Sequence, residues 1–467
     1  MPDRPPPVHA GAARLRTRVV RLALGAATAV VARVPSVAAQ PPRAVTDTAA
    51  VGTATTFVRA LERGAWADAA AVSALVPPAG TTQVALLRGL WTQLVGRLGT
   101  LAALEAGPVA AGGDSRIVDL GGRFDRSEVT LRVVLGPTGK VSGFWVTPPR
   151  PPAYTPPPYA DTARVREQEL TLGAEPPLGA TFTAPRAHAG SFPVAVLVHG
   201  SGPNDRDERV GANRPFRDLA LGLASRGVAV LRYDKRTYAH PRSLAGRRVT
   251  VDAETIDDAV AAVALARTLP GADPARVFVV GHSLGGMLAP EIAARDGGAA
   301  GVVLLAPGGR PLAETAGEQA EYLAGRARAA GQPTAPFDAL RAQLGDLAAR
   351  RVAPDVVVLG APASYWYDLD DRRPLERARA LRVPMLAVFG GRDYQVTAAD
   401  VAAWRGAFAG RADAAVEVRP ALNHLLVPGE APSSPEEYAT RPGHVEAALV
   451  ERLASWMLAT PAGPAGR

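Results

Sequence analysis

A serine lies at the centre of the pentapeptide Gly281-His282-Ser283-Leu284-Gly285, between an apolar run at 277–280 and an amphipathic stretch that extends to Arg295. This pattern is typical of a sharp turn from a β-strand into an α-helix, where small residues two before and two after the serine allow neighbouring backbones to approach. The turn raises the serine oxygen above the sheet, close to the helix N-terminus. G-x-S-x-G also occurs by chance in tight turns without a chemical role. The strand and helix patterns on either side favour a nucleophile.

A serine nucleophile needs a general base, and the base needs an orienting acid. On a strand-to-helix turn of this kind the expected chain order is serine, acid, histidine. Among the seven histidines, His424 and His444 lie downstream of Ser283. His424 follows a predicted strand in the loop RPALNHLLVPG, whereas His444 opens the terminal helical segment, where a capping or solvent-exposed role is expected. We therefore predict that His424 is the base.

The acid should follow the preceding strand of the same sheet. The apolar run at 384–389 ends in Gly390-Gly391-Arg392-Asp393, and Asp393 is the first carboxylate after the glycine turn. We predict that Asp393 orients His424 and stabilises its imidazolium form. The alternatives Asp368, Asp370 and Asp371 lie in an inserted segment and are interpreted as solvated loop charges.

Acyl attack creates an oxyanion that needs two N–H donors. One is expected from Leu284, directly after the nucleophile, and the other from a loop after an earlier strand. The segment AVLVHGSGPNDRD at 195–207 supplies such a loop, and Ser201 is the predicted donor. A glycine-rich loop could bind phosphate instead, but neither G-x-x-x-x-G-K-[ST] nor G-x-G-x-x-G is present here.

The elements that must position these residues alternate between apolar β-rich runs and helical patterns, which is typical of a mostly parallel sheet covered by helices. Strands are predicted at 192–200, 227–234, 276–282, 300–307, 384–390 and 414–420, with helices at 215–226 and 253–269. The helical segment at about 308–382 interrupts the alternation and is interpreted as a cap. In it, Tyr365 and Trp366 either line an acyl-binding pocket or form the core of the cap.

A different pattern precedes this region. Residues 50–147 contain predicted helices at 55–75 and about 84–104, then strands at 127–135 and 141–146 around a GPTG turn, which together predict a small α+β domain. The proline-rich segment 148–160 predicts a stiff linker. The second domain is expected to span 161–460.

Composition narrows the function classes. The chain has 467 residues, 47% hydrophobic and 21% charged, as in globular proteins. The first 39 residues contribute +5 of the net charge of +8, so the rest of the chain has no basic run that could bind nucleic acid.

Residues 1–39 resemble a signal peptide. They contain a basic stretch, eleven apolar residues at 22–32 that are too few to span a bilayer, and small residues before Gln40. The alternative is a basic tail.

The chain contains no cysteine, which excludes disulfides and thiolate metal sites. The H-E-x-x-H and EF-hand patterns are absent as well, so we expect neither a metal nor a cofactor.

Residues 160–460 resemble a bacterial α/β-hydrolase of the esterase/lipase and serine-aminopeptidase-like group. The motifs that carry the resemblance are HGSGPNDRD (199–207), YDKR (233–236), GHSLGG (281–286), GGRDYQV (390–396) and LNHLL (422–426). Members with this set carry a small α+β domain of unknown function before the hydrolase, similar to 50–147. The resemblance implies the α/β-hydrolase fold, the triad Ser283, Asp393 and His424, and the oxyanion positions Ser201 and Leu284. One departure follows YDKR, where Arg236-Thr237-Tyr238-Ala239-His240 replaces the family's glycine-containing turn.

These observations predict an exported serine hydrolase, periplasmic or extracellular, that cleaves a small carboxylic ester through an acyl-enzyme. An amide or peptide hydrolase or an acyltransferase on the same machinery is the first alternative. The second is an inactive binding protein at the cell envelope. Acyl and alcohol specificity, and the oligomeric state, are not readable from one sequence.

Overall fold

The computed structural model describes residues 46–112, 114–147, 154–173, 175–187, 190–243 and 249–463. The predicted signal peptide at 1–39 and residues 148–153 of the predicted linker lie outside these ranges. No helix within them is long and apolar enough to cross a membrane.

The N-terminal elements form a small domain built on an antiparallel sheet. Its sheet has the order β1-β2-β3-β4. Phe57 of the first helix packs edge-on against Phe144 of the last strand, with ring centroids 5.5 Å apart. The helices are α1 (Asp47–Glu62), α2 (Trp66–Ala71) and α3 (Gln83–Leu98); the strands are β1 (Leu101–Gly112), β2 (Ser115–Phe124), β3 (Glu128–Leu135) and β4 (Val141–Thr147).

Two helix predictions in this domain were wrong in their extent. The predicted helix 55–75 is divided into α1 and α2 at Gly64. Gly64 has a φ of +70°, a backbone conformation that residues with a side chain rarely adopt. The predicted helix 84–104 ends at Leu98, because Gly99 has a φ of +84° and a Cβ there would lie 2.7 Å from Asp125 Cβ. Strands β1 and β2 were not predicted, since their small, Ala- and Gly-containing sequences show no clear alternation.

The second domain contains an eight-stranded sheet with the order β14-β13-β10-β9-β7-β8-β6-β5. The pairings from β14 to β8 are parallel, and β6 and β5 join antiparallel at one edge. The strands are β5 (Val165–Leu172), β6 (Leu178–Pro185), β7 (Phe192–Val198), β8 (Ala229–Tyr233), β9 (Ala272–His282), β10 (Gly301–Leu305), the two-residue pair β11 (Val357–Val358) and β12 (Ala361–Pro362), β13 (Met385–Gly390) and β14 (Ala414–Arg419).

Each of the six strands predicted for this sheet is present. The helices are α4 (Pro215–Ala224), α5 (Arg236–Ala239), α6 (Asp257–Ala266), α7 (Leu284–Asp296), α8 (Leu312–Ala329), α9 (Ala335–Ala348), α10 (Ala363–Asp370), α11 (Pro374–Ala380), α12 (Ala398–Phe408), α13 (Pro435–Thr440) and α14 (Ala447–Ala459). The predicted helix 253–269 begins as a π-helical turn over Asp252–Ile256 and continues as α6. At the departure after YDKR the chain forms the short helix α5.

The sheet is covered on both faces, which explains its continuous apolar runs. All seven residues of β7 are buried. Val194 and Val196 contribute to the core on one face, together with α6, α7 and α12, while Ala195 and Leu197 contribute to the core under α4 and α14. Burying each such valine or leucine stabilises the fold by roughly 1.5–3 kcal/mol. The result is a rigid sheet whose parallel strands deliver their following loops to one edge.

Helices α8 to α11 lie between β10 and β13, neighbouring strands of the sheet. This is the segment interpreted as a cap from the sequence. The limits proposed for the cap, the linker and the two domains stay predictions.

Candidate active site

Ser283 is the single residue between β9 and α7. Its backbone has φ 53° and ψ −116°, a conformation outside the ordinary allowed regions for a residue with a side chain. The turn is held by Ser283 N–H, which donates to Leu305 O at 2.8 Å, and by Met287 N–H, which donates to Ser283 O at 3.0 Å. Backbone strain of this kind is typical of functional positions that the surrounding structure over-determines.

The two glycines that flank the serine are required by close backbone contacts. A Cβ on Gly281 would lie 2.1 Å from Gly285 O. A Cβ on Gly285 would lie 2.2 Å from Val198 O at the end of β7. Because both distances are far below van der Waals contact, the start of α7 can reach its place against the sheet only without these side chains.

Asp393 and His424 form a buried pair. His424 Nδ1 donates to Asp393 Oδ2 at 2.7 Å, and the side chains are 7% and 1% exposed. The other carboxylate oxygen, Oδ1, accepts from Gln395 N–H at 2.7 Å and from Val396 N–H at 3.1 Å. With the Nδ1 hydrogen directed at the carboxylate, the lone pair of the neutral imidazole is on Nε2, which is the tautomer that a general base requires.

The glycine turn after β13 brings the acid loop against the base loop. A Cβ on Gly390 would lie 2.4 Å from Leu422 O and 2.8 Å from Asn423 O. Asn423 Oδ1 in turn accepts from Leu425 N–H at 3.0 Å and Val427 N–H at 3.1 Å, which closes the loop that carries His424.

Arg392 and Glu437 bridge these two loops. Arg392 Nη2 donates to both carboxylate oxygens of Glu437 at 3.0 Å, and Asn423 Nδ2 donates to Glu437 Oε1 at 3.2 Å. Arg392 directly precedes the acid and Asn423 directly precedes the base. The carboxylate of Glu437 therefore ties together the residues next to both members of the pair.

The loop after β7 lies beside the nucleophile. A Cβ on Gly200 would lie 3.2 Å from Ser283 Cβ. Gly200 N–H donates to Glu208 Oε1 at 2.6 Å and is not free for a substrate, whereas Ser201, the next residue, is exposed. Leu284 is the first residue of α7, so its N–H has no partner within the helix. The loop that contains Ser201 therefore begins beside Ser283, and the oxyanion roles of Ser201 and Leu284 stay predictions.

Charged residues order the rest of this loop. Arg206 pairs with Asp234 at 2.8 Å, and Asp207 pairs with Arg232. Asn204 Nδ2 lies within 3.2–3.3 Å of the carbonyl oxygens of residues 200–202. The loop is therefore held by side chains on the strands next to it.

His282, which precedes Ser283, is buried beside a carboxylate. Its Nδ1 lies 2.9 Å from Glu208 Oε2, within ion-pair distance but without the alignment of a hydrogen bond. Burial lowers the pKa of His282, but the charge of Glu208 and the carbonyl of His424 outweigh it and leave the pKa above its ordinary value. For Glu208, burial raises the pKa, and the nearby His282 reverses the shift to below the usual range.

The other histidine and aspartates weighed from the sequence have local partners. His444 Nδ1 lies 3.2 Å from the carboxylate of Asp218 on α4. Asp368 pairs with Arg372 at 2.7 Å, and Asp371 pairs with Arg350. The three aspartates were interpreted as solvated charges; the side chain of Asp371 is 65% exposed, whereas that of Asp368 is 22% exposed.

Tyr365 and Trp366 are placed in the core next to the sheet. They are 7% and 9% exposed. Tyr365 Oη donates to Glu254 Oε2 at 3.1 Å, and Trp366 Nε1 donates to Val358 O at 2.9 Å. Both polar atoms are thus used within the protein, and the assignment of these residues to an acyl-binding pocket stays a prediction.

Sequence reasoning missed Glu208, Glu437 and Lys235, whose Nζ donates to Gly200 O at 2.8 Å. Glu208 directly follows the motif HGSGPNDRD, and this position could have indicated that it belongs to the same loop. Lys235 is one of only two lysines among 52 basic residues, which could have marked it as specific. Glu437 lies in a short helix with no motif, and nothing in the sequence indicates its contact with Arg392.

No group of three or more His, Asp or Glu side chains arranged to hold a metal ion occurs in the described parts of the chain.

Residues 195–441, which include Ser283, Asp393 and His424, match the sequence profile of the alpha/beta hydrolase family. The chain belongs to this family. It is 39% identical over 372 residues to esterase EstD of Thermotoga maritima, covering 80% of this hydrolase and 87% of EstD.

Among solved structures, this hydrolase is similar to a puromycin-hydrolysing peptidase of Mycobacterium tuberculosis, with 20% identity and a TM-score of 0.43. That match covers 75% of the chain and 47% of the peptidase, so the chain spans about half the length of the peptidase. It is also similar to brefeldin A esterase, with 18% identity and a TM-score of 0.39, covering 66% of this chain and 80% of that one.

Proposed function

We propose that the protein is a serine esterase in which Ser283 is the nucleophile, His424 the general base and Asp393 the orienting acid. The observation that carries the proposal is the 2.7 Å contact between His424 Nδ1 and Asp393 Oδ2, in loops that reach the same sheet edge as the Ser283 turn. The similarity to esterase EstD supports an ester as the substrate.

The proposed reaction begins when His424 Nε2 takes the Ser283 hydroxyl proton and the serine oxygen attacks the ester carbonyl carbon. The Ser201 and Leu284 amides stabilise the resulting oxyanion, and the alcohol leaves with the proton from His424. Water, deprotonated by His424, then attacks the acyl-enzyme and releases the acid. Asp393 keeps its charge throughout and stabilises the imidazolium.

Covalent labelling tests the nucleophile. A fluorophosphonate probe should form one adduct, located by peptide mass on Ser283, and the adduct should be absent from Ser283→Ala. Ser127→Ala is the matched control, because Ser127 is an exposed serine in the turn between β2 and β3. Labelling that is the same in Ser283→Ala and wild type would overturn the assignment. Folded protein without any adduct would favour the inactive binding protein.

Substrate class is tested with paired substrates that share an acyl group. We expect p-nitrophenyl esters to be hydrolysed much faster than the corresponding p-nitroanilides, and the ester chain length with the highest kcat/KM to define the acyl pocket. Cleavage of aminoacyl anilides without ester cleavage would identify a peptidase instead. Ester turnover that yields a transfer product with added alcohol, and no free acid, would identify an acyltransferase.

We also propose that the protein is exported. The support is the basic and then apolar composition of residues 1–39. Expressed from its full-length gene, the protein should be recovered from the periplasm or medium with Gln40 near its new N-terminus, as measured by peptide mass. Recovery from the cytoplasm with an intact N-terminus would contradict export.

A further inference from the structure

Two buried ion pairs lie on opposite sides of the Gly200 peptide. On its N–H side, Glu208 Oε1 accepts from Gly200 N at 2.6 Å, and the same carboxylate faces His282. On its carbonyl side, Lys235 Nζ donates to Gly200 O at 2.8 Å and pairs with Glu254 at 2.7 Å. Both backbone groups of one glycine are therefore held by charged side chains.

These four side chains are almost completely withdrawn from solvent. Glu208 and Lys235 are 2% exposed, His282 is 4% and Glu254 is 5% exposed. Desolvation of a buried ion pair offsets most of its Coulomb attraction, and replacement of such a pair by apolar residues is often neutral or stabilising. Stability alone is therefore a weak reason for two such pairs beside one glycine.

Their position suggests another reason. A Cβ on Gly200 would lie 3.2 Å from Glu208 Oε1, 3.2 Å from Ser283 Cβ and 3.6 Å from His282 Nδ1. Gly200 thus lies between the buried pair and the nucleophile, and it immediately precedes Ser201, the proposed oxyanion donor. Gly200 C=O and Ser201 N–H belong to one peptide group, so the bond from Lys235 to Gly200 O sets the direction in which Ser201 N–H points, while Glu208 holds the preceding peptide group through Gly200 N–H.

The same pair reaches the base loop. His282 Nε2 lies 2.8 Å from His424 O, and the rings of the two histidines are 4.9 Å apart. His282 thus lies between the carboxylate of Glu208 at Nδ1 and the backbone carbonyl of His424 at Nε2, and it bridges the two loops. The carboxylates whose charges act on His282 are those of Glu208 and Asp393.

We propose that Glu208 and Lys235 are positioning residues that hold the Gly200 peptide so that Ser201 N–H faces the oxyanion, and that His282 connects Glu208 to the loop of His424. The proposal rests on the proposed serine esterase function. None of these side chains touches the substrate, so they act through the backbone of the loop and through His424.

The test compares Glu208→Leu, which removes the acceptor, with Glu208→Gln, which keeps an oxygen for Gly200 N–H. We expect Glu208→Leu to lower kcat by about 10²-fold with little change in KM, the effect of losing one oxyanion donor. The affinity for an alkylboronic acid, which forms a tetrahedral adduct with the serine, should fall by the same factor. Glu208→Gln should recover most of both losses. Fluorophosphonate titration of active sites corrects every value for misfolded protein.

Asp296→Asn is the matched control. Asp296 pairs with Arg267 through two contacts of 2.5 Å, and its side chain is 4% exposed, but neither residue contacts the Gly200 loop. The variant Asp296→Asn should lower the melting temperature and leave kcat and the boronic acid affinity unchanged. This separates the loss of a buried ion pair from the loss of loop position.

The proposal is overturned if folded Glu208→Leu keeps wild-type kcat and boronic acid affinity. If that variant does not fold, the double variant Lys235→Met/Glu254→Gln decides from the carbonyl side, since it removes the second pair without leaving an unpaired charge. The double variant should show the same parallel losses, and wild-type values in it would refute the proposal. Wild-type turnover in Ser283→Ala would instead refute the proposed function.

Discussion

The pH dependence of stability should carry the signature of His199, the histidine before Gly200. His199 is 1% exposed, with its ring 5.1 Å from that of Phe216 and 5.2 Å from that of Tyr233. Burial lowers its pKa from 6.5 to about 4, even though the charge of Glu208 acts in the opposite direction. The folded protein therefore keeps this imidazole neutral at pH values where the unfolded chain protonates it.

The direction in which pH changes the free energy of unfolding follows from the difference in proton binding between the folded and unfolded states. A folded-state pKa below the unfolded value means that the unfolded state binds the proton first as pH falls. The free energy of unfolding is therefore unaffected well above the unfolded pKa of 6.5 and decreases as pH falls towards the folded pKa of about 4. Between about pH 7.5 and about pH 5 this single group should remove about 2 kcal/mol of stability.

The perturbation is His199→Gln, which removes the titrating group and keeps a polar side chain. Urea unfolding of both proteins across that pH range should show the variant less stable at neutral pH, because packing against Phe216 is lost. The difference should shrink, by about 2 kcal/mol, towards about pH 5. Titrations common to both proteins cancel in this difference. Parallel stability curves would refute the reasoning, since they would mean that His199 is protonated equally in the folded and unfolded states.

Three further predictions concern the site and the cap. Asp393→Asn should lower kcat by about 10⁴-fold, because the amide favours the wrong tautomer of the base; steady-state ester hydrolysis measures this, and a loss below about tenfold would contradict the role. Gly285→Ala, whose Cβ would lie 2.2 Å from a carbonyl oxygen of β7, should lower both the melting temperature and the labelling rate of the nucleophile, and an unchanged melting curve would contradict the contact. Tyr365→Phe removes one hydrogen bond to Glu254 Oε2, which still accepts from Thr255, and should lower the free energy of unfolding by about 0.5–1.5 kcal/mol in urea; unchanged stability with altered ester chain-length preference would favour the acyl-pocket interpretation.

Much of the sheet was predictable because its signal is local. Strands that are buried on both faces appear in the sequence as continuous apolar runs, and the helices between them show apolar residues with a period of 3.6. The fold class and the hydrolase assignment are confirmed by the family match and by the similarity to EstD. Ser283, Asp393 and His424 were selected because each follows such a run, and the structure brings Asp393 and His424 into hydrogen-bond contact.

Elements without that signal were missed. Strand β5 has the sequence VREQELTL, and many of its side chains are exposed. It therefore lacks an apolar run, and its pairing with β6 holds it in the sheet. Strand β1 contains many small residues that favour a helix as readily as a strand, and its predicted helical start was wrong. In both strands, pairing with a neighbour outweighed weak local propensity.

The sequence by itself determined which strands end in turns that carry Ser283, Asp393 and His424. It did so because glycine, serine and apolar periodicity affect local structure over a few neighbouring residues. Only the tertiary structure decided which charges meet. Glu208 faces His282 across 74 positions of sequence, and Tyr365 reaches Glu254 from a cap helix that could equally have turned its aromatic rings to a pocket. Such contacts depend on desolvation and on exact distance between groups brought together by folding, and neither quantity is encoded in the spacing of residues along the chain.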